Sequence, residues 1–489
     1  MKHLADFPDA HLRIFERPAL PPADTIRNVY LIGICGTGMG SLAGLLRQAG
    51  YRVRGSDAGV YPPMSTRLAA LGIPIHEGFD AAHLDPAPDL VIVGNACVPT
   101  HPEAAHAREM GLPQLSLPEA LAQFFIRQRR SLVVAGTHGK TTTTGMLVHL
   151  FREQGLKPGF LVGGVMRGMD TSYDVGGGRH FIVEGDEYDS AYFDKQPKFM
   201  HYRPTSAIVT SMEFDHADIY DDQDDYREAF ERFVGTVDSS GILALWNENP
   251  AVRALAVHAT APVHSFGLGE RADIGAVNVR PAPGGQRFEL RVFGEPVHDL
   301  YLPMSGRHNL LNALAAITLA LGEGLEAADI GDTLATFQGM KRRQEILGEV
   351  AGVLIVDDFA HHPTAVAATI GAIRERWRDR RLIAIFEPRS NSSRRKAFAA
   401  PYAKAFDLAD HALLSAPPFR HNDDRAHFLD PARVVDMIES RGVPAEVFSG
   451  ADRLLPHLLT LVQAGDVVLI MSNGGFGGLQ QRLLDALAE

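Results

Sequence analysis

Ala135 to Met146 read AGTHGKTTTTGM, a phosphate loop with a piece missing. A full loop reads G-x-x-x-x-G-K-[ST]. Here Gly139, Lys140 and Thr141 supply its end, but Val134 stands where the first glycine belongs, and the nearest glycine, Gly136, gives a shorter G-x-x-G-K-T. Glycines let backbone N–H groups close on an anion, and a following helix adds its partial positive end. Lys140 would reach the outer phosphates of a nucleotide, and the Thr141 hydroxyl would sit on Mg²⁺. The blander alternative is a glycine turn capped by threonine. Two acidic tracts follow. EGDEYDS holds Glu184, Asp186, Glu187 and Asp189, and EFDHADIYDD holds Glu213, Asp215, His216 and Asp218. Carboxylates so close repel unless solvated or bound to a cation. Downstream of a phosphate loop they read as partners for Mg²⁺.

Four further constellations carry polar chemistry. GRHNLLNALAA places His308, Asn309 and Asn312 within a helical turn, with the asparagines as i,i+3 neighbours. Their amides would read a base edge or, equally, cap helices. KRRQE supplies Lys341, Arg342 and Arg343, a phosphate clamp or a solvated linker. VDDFAHHPTA ends an apolar run in Asp357 and Asp358, then sets Pro363 at a helix start. GICGTGMGSLA fits G-x-G-x-x-A, with Asp57 at about the 20-residue spacing of a dinucleotide site. That loop would cradle NAD or another diphosphate ligand.

These residues need strand ends and helix starts to hold them. NVYLIGI, a glycine turn and SLAGLLRQAG, then YRVRGSD, spell β-α-β with a parallel sheet. SLVVAG opens a second such unit after the basic tract Arg127–Arg130. Residues 279–303 alternate like antiparallel hairpins, and 305–324 form a helix closed by glycine. VLIVDDFA, LIAIFEP, HALLSAP and DVVLIMS are the strands of a third unit. The expected fold is α/β in three domains, Rossmann-like at each end with a P-loop ATPase-type domain between. Its expected parts are a Pro-rich extension at 1–27, a first domain at 28–128, a central domain at 129–338 and a C-terminal domain at 339–489.

The length of 489 residues suits several domains. A net charge of −12 excludes a general nucleic-acid binder. Two cysteines exclude a disulfide framework and suit a reducing cytoplasm. No run approaches the ~20 apolar residues of a membrane span, and the start of the chain is not a signal peptide. The expectation is a cytoplasmic protein without membrane or nucleic-acid partners, working as a monomer or weak homodimer.

Taken together and in order, GTHGKTTT, EGDEYD, EFDHAD, SGRHNLLNALAA and DDFAHHPTA resemble the Mur ligases over nearly the whole chain. The short P-loop is typical of that family. The resemblance implies ATP and Mg²⁺ as cofactors, with domains for UDP-sugar, ATP and amine. GSDAGVYPPMST, FDKQPKF, EPRSN and MSNGGFGG further resemble the branch that joins a preformed L-alanyl-γ-D-glutamyl-meso-diaminopimelate tripeptide to UDP-N-acetylmuramate in peptidoglycan recycling. Both substrates are small molecules. Residues 219–240 lack the lysine that some Mur ligases carbamylate, as does the L-alanine-adding branch.

The resemblance also implies roles. Lys140, Glu184 and His216 would be catalytic, with Thr141, Glu184 and His216 on Mg²⁺. Gly136, Thr137, His138, Gly139 and Thr142 would complete the ATP loop. Asn309, His308 and Asn312 would face adenine, and Arg343 and Asp357 would touch ATP. Gly36, Thr37, Gly38, Met39, Gly40, Ser56, Asp57, Ser65, Thr66 and Asn95 would hold the UDP-sugar. Arg389 and Asn391, with the Gly474–Gly478 turn, would meet the peptide. A hinge is expected near Phe337–Arg343. Three rivals stand beside this reading: a UDP-N-acetylmuramate–L-alanine ligase, an NAD-dependent oxidoreductase that leaves the P-loop unexplained, and an ATP-gated binding protein.

Overall fold

The computed structural model describes residues 3–214, 219–220, 222–417, 419 and 427–489. It divides into two compact units. The first unit is Met1–Ala276 with Leu290–His298 and Leu314–Thr333; the second is Val277–Glu289, Asp299–Ala313 and Leu334–Glu489.

The first unit holds a five-stranded sheet, the core of a central sheet and a two-stranded hairpin. Strands β1 (Asn28–Ile32), β2 (Arg52–Asp57), β3 (Ile75–Glu77), β4 (Leu90–Val93) and β5 (Gln114–Ser116) lie parallel in the order β3-β2-β1-β4-β5. β4 is buried at every position, as a parallel strand covered on both faces must be. The central strands are β6 (Arg130–Ala135), β7 (Gly159–Leu161), β8 (Tyr173–Asp174), β9 (His180–Gly185), β10 (Asp189–Ala191), β11 (Asp194–Pro197), β12 (Ser206–Val209), β13 (Leu243–Trp246) and β14 (Val263–Leu268). β10 and β11 form a separate antiparallel hairpin. In the main central sheet β6 lies between β12 and β9, parallel to both. Val209 pairs with Ala135, and Ala135 with Gly185. This register delivers the phosphate loop, the first acidic tract and Glu213 to one end of the sheet, where open α/β sheets bind ligands.

One apolar cluster runs from Ile26 and Leu31 of the first sheet through Phe125 to Val133, Phe181 and Phe230. The extension, which has no role in the sequence pattern, is not loose. Phe15 stacks on Tyr192 at 6.3 Å and meets Phe193 edge-on at 6.0 Å. Arg13 donates to the Tyr192 carbonyl at 3.2 Å, and Arg17 reaches Glu119 at 2.9 Å.

The tract read as hairpins forms β15 (Ile274–Ala282), β16 (Gly285–Val292) and β17 (Glu295–Leu302). In the second unit β18 (Glu345–Val350), β19 (Val353–Asp358), β20 (Leu382–Glu387), β21 (His411–Ser415), β22 (Ala445–Phe448) and β23 (Val467–Ser472) are ordered β18-β19-β23-β20-β21-β22. All neighbours are parallel except β18, an antiparallel edge strand. β18 and β22 are absent from the sequence reading. β18 is buried at no position and β22 at only its first, so neither carries the apolar run that marks the central strands. Asp358 pairs with Met471 and Glu387 with Ser472, so Asp357, Glu387 and the glycine turn share an edge.

Candidate active site

β6 leads into a turn and the helix Lys140–Glu153. Gly136 has φ +129° and Gly139 +82°, and Gly139 caps the helix in the left-handed region, where a side chain is strained. The loop is fastened to the end of β12. Thr137 N–H donates to the Ser211 carbonyl at 3.1 Å, His138 N–H to Ser211 Oγ at 2.8 Å, and Thr210 Oγ1 to the His138 carbonyl at 2.5 Å. The first residues of the helix bury threonine hydroxyls beneath the turn.

Lys140 Nζ donates to the Gly136 carbonyl at 2.6 Å and to Glu187 Oε2 at 2.8 Å. Burial would lower its pKa, but the carboxylates of Glu187, Asp186 and Glu184 outweigh burial and hold it above the ordinary lysine value. Thr141 Oγ1 donates to Glu184 Oε1 at 3.0 Å, and Gly163 N–H to Glu184 Oε2 at 2.8 Å. His138 Nε2 meets Glu213 Oε2 at 2.8 Å.

The acids of EGDEYD therefore diverge. Asp186 meets Lys198 at 2.6 Å, Glu187 meets Lys140, and Asp189 meets Lys195. For the first tract the reading of every acid as a cation ligand narrows: these three acids have lysine partners, while Glu184 faces the Thr141 hydroxyl. A hydroxyl and a carboxylate oxygen 3.0 Å apart suit a hard divalent cation. His216, Asp215 and Asp218 lie outside the described residues.

In the first sheet, β1 ends in the glycine turn and the helix Thr37–Gln48 begins at Gly36. The Ser56 carbonyl accepts from Gly33 N–H at 2.9 Å and Ile34 N–H at 3.0 Å. Asp57 accepts from Cys35 N–H at 2.9 Å and Gly59 N–H at 2.9 Å. Both its oxygens thus brace backbone, where a dinucleotide site needs an acid open to a ribose hydroxyl. Ser56 was expected at the UDP-sugar, yet its side chain is fully buried and its hydroxyl donates to Glu103 at 2.5 Å. Ser65, on the next helix, is half-buried, and Thr66 is exposed. Gly38 and Gly40 leave room for Leu117 and Met64. Asn95 is half-buried just beyond β4.

In the second unit Asn309 is buried and donates to the Ser305 carbonyl at 2.8 Å, the local bond that the capping alternative predicts. Asn312 is buried too. His308 meets Gln344 at 3.1 Å, and burial, reinforced by Arg343, pushes it down to about 4. The arginine that reaches Asp357 is Arg342, at 3.1 Å, which also donates to the carbonyls of Ser472 and Gly474 at 2.6 and 2.7 Å. Arg343 lies over the Phe359 ring at 4.9 Å, a ring that Arg342 also faces at 5.3 Å. Three adjacent basic residues could not tell these two roles apart from sequence. His362 caps its helix by accepting from Thr364 N–H at 3.4 Å. Arg389 packs against Gly474, where a Cβ would lie 2.5 Å from its Cδ. Beside them a cavity of about 320 Å³ is lined by Glu387, Gly450, Arg453 and Phe476. Asn391 accepts from Arg394 at 3.0 Å.

Three family profiles match in chain order: Mur ligase family, catalytic domain, over residues 28–129; Mur ligase middle domain over 134–320; and Mur ligase, glutamate ligase domain, over 342–474. The chain is 40% identical to UDP-N-acetylmuramate–L-alanyl-γ-D-glutamyl-meso-2,6-diaminoheptandioate ligase of Escherichia coli, covering 94% of this chain and 98% of that one. The chain belongs to the Mur ligase family. A crystal structure of a murein peptide ligase from Psychrobacter arcticus matches this Mur ligase with a TM-score of 0.71 and 36% identity, over 95% of this chain and 99% of that one. UDP-N-acetylmuramate–L-alanine ligase of Desulforapulum autotrophicum is 33% identical over 94% of this chain and 99% of that one. No helix among the described residues is long and apolar enough to cross a membrane.

Proposed function

We propose that this Mur ligase joins the carboxylate of UDP-N-acetylmuramate to the amine of L-alanyl-γ-D-glutamyl-meso-diaminopimelate at the expense of ATP. The observation that carries the choice of amine is the 40% identity to the tripeptide ligase across nearly the whole of both chains, against 33% to the L-alanine ligase. A free carboxylate is a poor acyl donor because oxide would have to leave. Its oxygen therefore attacks the γ-phosphorus of ATP, giving an acyl phosphate and ADP. The peptide amine then attacks the acyl carbon, phosphate leaves, and the amine loses its proton. Phosphoryl transfer of this kind depends on positioning and charge neutralisation.

Lys140 would exchange part of its bond to Glu187 for the β- and γ-phosphates of ATP. Thr141 and Glu184 would hold Mg²⁺, with His216 as the further ligand; bound there, the ion would offset phosphate charge. Gly136 to Gly139 would present backbone N–H groups, and Thr142 would support the helix start. His308, Asn309 and Asn312 would border adenine, and Arg343 and Asp357 the rest of ATP. Gly36–Gly40, Asp57, Ser65, Thr66 and Asn95 would bind the UDP-sugar, and Arg389 and Asn391 the peptide. The proposed domains are 28–128, 129–338 and 339–489, in a cytoplasmic enzyme.

A competition assay tests this. With ATP, Mg²⁺, UDP-N-acetylmuramate and an equimolar mixture of L-alanine and the tripeptide, mass spectrometry should find the UDP-muramoyl-tripeptide as the dominant product. Dominant UDP-muramoyl-L-alanine would move the chain to the biosynthetic branch. Lys140→Ala should abolish either product while UDP-N-acetylmuramate still binds; retained ligation would remove the ATP loop from the reading.

A further inference from the structure

Beneath the first-sheet loop lies a carboxylate that the ligation chemistry does not use. Glu103 sits in the first turn of the helix Pro102–Glu109 and is fully buried. It accepts hydrogen bonds from Tyr30 OH at 3.0 Å, Ser56 Oγ at 2.5 Å and Asp80 N–H at 3.4 Å, and His83 Nδ1 stands 2.9 Å away. Tyr30 comes from β1, Ser56 from the end of β2, and Asp80 and His83 from the segment after β3. One side chain thus ties together three segments of the first sheet. Burying a carboxylate is costly unless its oxygens are satisfied; here the four partners satisfy it.

The consequence lies one bond further out. Ser56 is the residue whose carbonyl receives Gly33 and Ile34 N–H, and the adjacent Asp57 receives Cys35 N–H. A short chain of hydrogen bonds therefore runs from Glu103 through Ser56 to the glycine turn that opens the helix Thr37–Gln48. His83 is itself held in a stack with His76 at 4.4 Å, so the far side of the network is also packed.

We propose that Glu103 is a positioning residue for the UDP-sugar: without touching the ligand, it fixes the height and tilt of the glycine turn and of the strand ends beside it. This rests on the assignment of the UDP-sugar to Gly36–Gly40 and Asp57. The test compares full-length wild type with Glu103→Gln, Ser56→Ala and Asp57→Ala in steady-state ligation, varying UDP-N-acetylmuramate and ATP separately.

Glu103→Gln should raise the KM for UDP-N-acetylmuramate roughly tenfold, with kcat and the KM for ATP changed less than about twofold. Ser56→Ala, which cuts one arm of the network, should move the same constant in the same direction and carries the test if Glu103→Gln does not fold. A parallel rise in the KM for ATP, or a fall in kcat alone, would mean a general structural role and overturn the proposal. A raised KM in Asp57→Ala with no change in the other two would overturn the positioning role alone. An unchanged KM in all three would overturn the site assignment as well.

Discussion

Glu323 shows how much one buried side chain can hold. Its side chain is 1% exposed and bonded to Arg130 at 2.7 Å and Ser206 at 2.6 Å, with His180 at 3.3 Å. Burial would raise its pKa, but the bonds from His180, Arg130 and Ser206 outweigh burial and bring it from 4.5 to about 2. The folded state thus favours the charged form. The stability this adds is fully present above the unfolded value and is lost as pH falls through the folded one. Such a shift corresponds to at most about 3 kcal/mol. Glu323→Gln should therefore lower the urea midpoint at neutral pH, and the gap from wild type should close as pH falls from about 5 towards 2. A gap that stays constant over that range would show that the charge contributes nothing.

At the scale of elements, the loop between β6 and its helix works because two strand ends hold it from either side. Gly136 combines φ +129° with backbone contact: an added Cβ would lie 2.2 Å from Thr210 Oγ1 and 2.8 Å from Ser211 N. Strained backbone and a clash with a neighbouring strand act in the same direction. Gly136→Ala should cost about 2 kcal/mol or more of stability and displace the turn from Lys140. Calorimetry should find a lower melting temperature and weakened binding of an ATP analogue. Unaltered nucleotide binding would separate this turn from the phosphates. Gly163 is constrained in a related way, since a Cβ there would lie 2.6 Å from Glu184 Oε2.

At the scale of the whole molecule, the N-terminal extension behaves as a strap over the first unit. Its rings and arginines engage the β10–β11 hairpin, which continues directly from the acidic strand β9. Tyr192 and Phe193 of that hairpin share an apolar cluster with Tyr30, Ile32 and Val91 of the first sheet. Arg108 donates to Tyr192 OH at 2.7 Å, so the junction is polar as well as apolar. Removing residues 1–24 exposes this cluster, and Phe15→Ala alone should cost about 1–2 kcal/mol. Differential scanning calorimetry of the truncated chain should show the first unit melting earlier, with hydrogen exchange faster in 189–197 and 28–32. Unchanged exchange there would mean that the strap carries no load.

Local spacing determined a good deal. A glycine, a lysine and a threonine between an apolar strand and a helix specify a phosphate loop, because that geometry depends on residues a few positions apart. Alternating apolar runs and turns specify β-α-β units for the same reason, and Gly139 and Gly36 stand where helices had to begin. The pairings were decided only by tertiary structure. Glu187 and Lys140 meet through the parallel pairing of β6 and β9, Asp186 and Lys198 across the antiparallel β10–β11 hairpin, Arg342 and Asp357 through the antiparallel pairing of β18 and β19, and Glu103 and Ser56 because a helix packs against the first sheet. Sequence lists charges in order, but which carboxylate meets a metal, a lysine or a buried hydroxyl depends on where each strand ends beside its neighbour. β18 and β22 escaped for the complementary reason: edge strands are stabilised by the sheet they join, and their own residues carry little apolar signal.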